Sequence, residues 1–139
     1  MEPTGQFALK RAAYAQAVRG FVELLEVDLS PFDAKIVDGL KNGQAQKFEY
    51  TTELTWKIIR RYLLLHDGIE ANSPKSAIKE FYLAGHISEL DYETLINMLD
   101  DRNHLSHVYR ADEFQAIITR FPHYAALMGK IIEILETAL

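Results

Sequence analysis

The residues with the strongest claim on chemistry lie in one run, Asp100-Asp101-Arg102-Asn103-His104-Leu105-Ser106-His107-Val108-Tyr109-Arg110. It crowds ionisable and hydrogen-bonding groups onto the end of a segment that begins, at Leu90 to Leu99, as an ordinary apolar-periodic helix. An imidazole moves protons near neutral pH, a guanidinium holds phosphate or carboxylate oxygens, and amide and hydroxyl groups orient what those two bind. At ~100° per residue, Leu95, Met98, Leu99 and Leu105 fall within roughly 60° of Arg102, which places its Cα on the apolar face. A charge there must snorkel or find a carboxylate, because an unpaired buried charge is costly. Asn103, Ser106 and His107 occupy the adjacent arc, so guanidinium, amide, hydroxyl and imidazole are expected to converge on one pocket at the margin of the core.

Three readings of this cluster stand side by side. In the first, Arg102 is a structural ion-pair anchor and His107 is a histidine favoured by the negative end of a helix dipole. In the second, Asp100, His104 and His107 project within roughly 60° of one another and supply three metal ligands. The paired Glu-x-x-His motif of di-iron bundles is missing, however, and no metal is expected. In the third, His107 acts as acid and base while Arg102 stabilises a phosphate oxygen, the combination for metal-independent cleavage of an RNA phosphodiester with no cofactor. One histidine is few for that reaction, and a homodimer that apposes two copies of the helix would supply another.

The elements that position the run are helices. Phe7, Tyr14, Val18, Phe21 and Leu25 recur at spacings of seven, four, three and four, the mark of a core-facing first helix. Ser30-Pro31 reads as a cap followed by proline at the first helical position, and Gly39 and Gly43 bracket an expected break before a longer helix from about Gln44 to His66. Asp67-Gly68 ends it. On that helix Phe48, Leu54, Ile58, Tyr62 and Leu65 have core spacing, while Glu49, Glu53, Trp56 and Arg60 form a separate stripe, either solvated or the wall of a groove facing the Arg102 run. Glu53 is then the candidate partner of Arg102. Lys57, Arg60 and Arg61 add a small basic patch. Ser73-Pro74 repeats the cap-then-proline signature before a short helix through Ile78, Phe81 and Leu83 that Gly85 terminates.

A fourth helix carries Leu90, Leu95, Met98, Leu99 and Arg102, and a fifth, from near Asp112 to Leu135, is expected to kink at Pro122. No period-two apolar run and no repeat is visible. The reading is all-α: an antiparallel up-and-down helical bundle of four long helices plus a short extra helix, one domain over residues 1–139.

Composition bounds the rest. The 139 residues are 48% hydrophobic, enough for one real core. There are no cysteines, which excludes disulfides and thiolate chemistry. No apolar run approaches the ~18 residues of a membrane span, and Met1-Glu2-Pro3-Thr4-Gly5 lacks a signal-peptide pattern, so a cytoplasmic protein without membrane contact is expected. A formal net charge of −5 argues against coating nucleic acid through a broad basic face.

The run Arg102-Asn103-His104-Leu105-Ser106-His107-Val108-Tyr109 resembles the Arg-x-x-x-x-His-x-Tyr motif of the HEPN superfamily. Phe48-Glu49-Tyr50-Thr51-Thr52-Glu53-Leu54-Thr55-Trp56-Lys57 and Ser73-Pro74 are similar to other markers of its branch of nucleotidyltransferase substrate-binding proteins, and the likeness extends from about Gln44 to Leu135. The resemblance implies a helical bundle that forms homodimers or homotetramers and partners a minimal nucleotidyltransferase. By the toxin–antitoxin members it implies a ribonuclease acting on single-stranded RNA, with Arg102 and His107 catalytic across the dimer, Asn103, Ser106, Glu53 and Trp56 in support, and Tyr109 the residue adenylylated by the partner. By the older reading of the branch it implies a non-catalytic subunit that presents a nucleotide or other substrate to the nucleotidyltransferase. Enzyme and binding subunit remain open, and both place function at the same residues.

Overall fold

Phe7, Tyr14 and Phe21 are spaced by seven residues, two turns of helix, and the same spacing is answered in reverse on the second helix. The ring of Phe7 meets Tyr62 at 6.0 Å, the Tyr14 hydroxyl bonds Thr55 at 2.7 Å, and the ring of Phe21 meets Phe48 at 6.2 Å. Steps forward on one helix matched by equal steps back on the other make the pair antiparallel. The computed structural model describes residues 3–107 and 110–137. Within them α1 spans Pro3–Leu25, α2 Ala34–Tyr62, α3 Pro74–Leu83, α4 Glu89–Leu105, α5 Ala111–Ile118 and α6 Phe121–Thr137, with no strand among the described residues.

The last helix runs against both α1 and α4. Phe21 meets Phe121 and Arg11 donates to the Leu135 carbonyl, while Asp101 accepts from Tyr124 and Asp91 from Lys130. Helices α1, α2, α4 and α6 therefore form the antiparallel up-and-down bundle, and α3 is the short extra helix. At its centre Phe48 stacks on Phe121 at 4.5 Å and on Tyr124 at 5.6 Å, all three essentially fully buried. Burial of these rings is the main stabilising term.

Several local expectations need correction. Ser30-Pro31 does not begin a helix: the Ser30 N–H bonds the Asp28 carboxylate in a turn, and Asp33, as good a cap as serine, accepts the Ile36 N–H at 3.0 Å to open α2. Gly39 and Gly43 do not break α2. A helical glycine costs only ~1 kcal/mol against alanine, less than packing against α1 returns. The α-helix ends at Tyr62 and passes into a π-helical turn, Leu63–Asp67, that Gly68 closes at φ 68°, the left-handed conformation expected there. Leu90, placed on the core face, is 69% exposed in the first turn of α4; Leu95, Met98 and Leu99 carry the burial. The last segment is two helices rather than one kinked helix. Pro122 is the second residue of α6, where it owes no hydrogen bond to a preceding turn.

Other local expectations hold. The Ser73 hydroxyl accepts the Ser76 N–H with Pro74 at the first position of α3, and Gly85, at φ 86°, follows the helix. Nothing in the local pattern hinted that Thr51, Thr52 and Thr55 would be fully buried. Thr51 and Thr55 donate to the Lys47 and Thr51 carbonyls one turn back, which hides their polarity inside the helix. No helix is long and apolar enough to cross a membrane among the described residues.

Candidate functional site

Three consecutive residues near the end of α4 reach three different helices. Asp100 pairs with Lys75 of α3 at 2.8 Å. Asp101 accepts two bonds from Arg120, at 2.7 and 2.9 Å, and a third from the Tyr124 hydroxyl. Arg102 pairs with Glu53 of α2 at 3.1 Å. The one-turn geometry of a helix fans successive side chains by ~100°, which is why adjacent charges serve separate contacts. Burial, reinforced by the hydrogen bond to the Asp101 carboxylate, pushes the Tyr124 hydroxyl above its usual pKa, so it stays a protonated donor.

Arg102 has the partner expected of it, and Glu53 also pairs with Lys57 at 3.7 Å on its own helix. Side-chain exposures of 36% for Arg102 and 30% for Glu53 place the pair at the margin of the core rather than within it. Beside it opens a cleft of about 320 Å³ lined by Glu53 and Trp56 of α2, by Ser73, Pro74 and Lys75 at the start of α3, and by Leu99, Arg102 and Asn103 of α4. Trp56 is 9% exposed, so it belongs to the core and not to the edge of a solvated stripe; its indole forms an apolar wall, with the Arg60 guanidinium lying over the ring at 5.1 Å. The Arg102 Nε is buried without an acceptor among the described residues. With Lys75 and the positive end of α3 alongside, the cleft can hold an anionic group between a guanidinium and an indole.

The structure brings together Glu53, Trp56, Arg102 and Asn103, and leaves Ser106 and His107 outside. Ser106 caps α4, its hydroxyl donating to the Asn103 carbonyl at 2.7 Å. His107 lies exposed in the turn that follows, its backbone N–H bonding the His104 carbonyl. Neither lines the cleft within one chain. Tyr109 lies outside the described residues. The candidate metal ligands Asp100, His104 and His107 do not converge: Asp100 turns to Lys75, and His104 turns to Glu113 at 3.7 Å.

A different triad does converge, which the sequence reading missed. His66 Nδ1, His86 Nε2 and the Asp67 carboxylate lie within 4.8 Å of one another, the one group of this kind among the described residues that could hold a metal. As folded, the carboxylate bridges both rings at 2.9 and 2.7 Å, and the rings pack on Tyr62 and Phe81. Burial disfavours ionised Asp67, but hydrogen bonds from His86 and His66 outweigh it and hold the carboxyl below its usual range. The two ring nitrogens are therefore the donors. The signal available in sequence was His66-Asp67 at the helix stop with His86 after Gly85, but nothing local shows that the two turns meet.

Comparison with known proteins adds three findings. A search of curated proteins gives no match. A crystal structure of a protein from Thermus thermophilus is similar, at 29% identity and a TM-score of 0.78, covering 88% of this chain and 98% of that one. Residues 9–137 match the family described as nucleotidyltransferase substrate binding protein like, and with nearly the whole chain matched, this protein belongs to that family.

Proposed function

We propose that this chain is the helical partner subunit of a minimal nucleotidyltransferase, and that it engages its substrate through the Arg102 cleft. The observation that carries the reading is the state of Arg102: it is anchored by Glu53, its Nε has no acceptor, and an open cleft with an indole wall lies beside it. An arginine used only to hold helices together would leave neither an unpaired donor nor a cleft. Family membership supports the partner, and a cleft whose arginine is already paired suits a subunit that presents a ligand. Co-expression with a minimal nucleotidyltransferase should give a complex that survives size exclusion; no complex with any such enzyme would sink the reading.

A second reading is favoured by the position of His107. In this reading, which rests on the resemblance to the HEPN motif, Arg102 and His107 form an RNA-cleaving site across a homodimer or homotetramer, silenced by adenylylation of Tyr109. Both residues sit at the same end of α4, and His107 lies outside the cleft of its own chain, so this reading needs the imidazole of a second copy. This form of the protein cleaves single-stranded RNA without metal in the cytoplasm. Purified chain that leaves RNA intact, with His107→Ala no different from wild type, would remove it. Intact mass after co-expression tests the tyrosine: an added AMP that disappears in Tyr109→Phe supports it, and an unchanged mass removes it.

A further inference from the structure

A second concavity is about twice the volume of the Arg102 cleft. It is a groove of about 660 Å³ between α1 and α2, within the ~300–1,000 Å³ typical of small-molecule sites. Along α2 and into the π-helical turn after it, the groove runs from Tyr50 to Leu64, about 21 Å at the α-helical rise. Lys57, Arg60 and Arg61 line its middle, and the antiparallel register of the helices sets Lys10 of α1 on the opposite wall.

Charge in this groove is not balanced as it is in the cleft. Among the described residues Lys10, Arg60 and Arg61 have no carboxylate within ion-pair distance, and Lys57 shares Glu53 with Arg102 across a long 3.7 Å contact. Arg60 rests on Trp56 and Arg61 donates to Gln6, both neutral partners. Glu70 is the one acidic residue of the lining. Four cations gathered in a concave wall of a chain whose net charge is −5, with only the long Lys57–Glu53 contact to offset them, repel one another, and an entering anion would relieve that repulsion. A second observation agrees: the Arg61 Nε is buried without an acceptor, one of three such side-chain atoms among the described residues, another being the Arg102 Nε of the cleft. At one end the Tyr50 ring is 61% exposed, a large aromatic face left in water beside the cations.

We propose that this groove binds a nucleoside triphosphate, with the phosphates held by Lys10, Lys57, Arg60 and Arg61 and the base stacked on Tyr50. Guanidinium forks and ammonium groups match phosphate oxygens, and an exposed phenol ring accepts any base face, so recognition is tolerant of base identity. The groove is separate from the Arg102 cleft and its occupancy does not depend on the role of that cleft. The two concavities share one helix, since Trp56 lines the cleft while Arg60, stacked on its ring, lines the groove. Trp56, the single tryptophan of the chain, therefore reports binding by fluorescence.

The test is calorimetric and fluorescence titration of the full chain with ATP, inorganic tripolyphosphate, adenosine and a tetranucleotide RNA. ATP is expected to bind and alter Trp56 emission, with tripolyphosphate about 5-fold or more weaker and adenosine weaker still. Replacing two exposed side chains, Lys10→Gln with Lys57→Gln, should weaken ATP about 10-fold or more with circular dichroism unchanged. Tyr50→Ala should weaken ATP and leave tripolyphosphate as it was. The proposal is overturned by absence of ATP binding at millimolar concentration, by equal affinity in the lysine double variant, or by tripolyphosphate binding as tightly as ATP. Tighter binding of the tetranucleotide than of ATP would also overturn it, in favour of an RNA strand.

Discussion

The two faces of α2 solve the problem of a buried-margin cation in opposite ways. On the α4 side each cation has a carboxylate: Arg102 with Glu53, Lys75 with Asp100, Arg120 with Asp101. On the α1 side Lys10, Arg60 and Arg61 have neutral partners or none among the described residues. Compensated charge holds helices together and tolerates an empty cleft, whereas uncompensated charge adds repulsion to the folded state and is retained where something else supplies the anion. The contrast separates what α4 does for the fold from what α2 offers to a ligand.

The largest expected effect comes from the compensated side. Asp101→Ala strips Arg120 and the Tyr124 hydroxyl of their common acceptor, whose carboxylate is 14% exposed, and should cost about 2–3 kcal/mol in urea unfolding. A loss below ~0.5 kcal/mol would show that α4 and α6 are held by packing alone. Glu53→Gln comes next, at about 1 kcal/mol, because the Arg102 pair is partly solvated. The groove should then break the symmetry: Lys10→Ala is expected within about 0.5 kcal/mol of wild type or slightly more stable, since it removes repulsion and no ion pair, and Arg60→Ala should cost at most about 1 kcal/mol through its contact with Trp56. Destabilisation beyond these limits by either would erase the contrast.

The smallest effect is confined to acid. Asp67 has a folded pKa below its unfolded one, so its contribution is complete above the unfolded value near ~3.9 and is lost as pH falls through the folded value. Urea midpoints followed downward from pH 6 should fall below about pH 4 in wild type, and Asp67→Asn should flatten that limb. An unchanged acid limb in the variant would assign acid sensitivity to other carboxylates.

Much of this was legible in sequence where a periodic face or a cap decided the outcome. The spacing of Phe7, Tyr14, Val18 and Phe21, the Ser73-Pro74 cap and the Gly68 stop all act locally, and the Arg102–Glu53 pair followed from a charge that the apolar face could not otherwise hold. What escaped was decided by tertiary contact. Gly39 and Gly43 lie in an unbroken helix because α1 packs on it, and Thr51 and Thr55 are buried because their own helix backbone accepts their hydroxyls, whereas the Thr52 hydroxyl is buried without a partner among the described residues. Trp56 became an inner wall rather than a surface residue for the same reason. The groove was visible only as three basic residues on α2; the missing wall, with Lys10, is more than forty residues away in the chain, and the His66–Asp67–His86 triangle likewise joins two turns. His107 and Arg102 are close in sequence, yet the end of α4 leaves the imidazole out of the cleft.

Whether the Arg102 cleft is where this helical subunit meets the substrate of its nucleotidyltransferase is tested most directly by one affinity. Substrate capture by the co-purified complex, measured by isothermal titration for wild type and for Arg102→Ala, should differ about 10-fold or more while circular dichroism and complex stoichiometry stay the same. Equal affinities for the two complexes would contradict that role and return Arg102 to the position of a helix anchor.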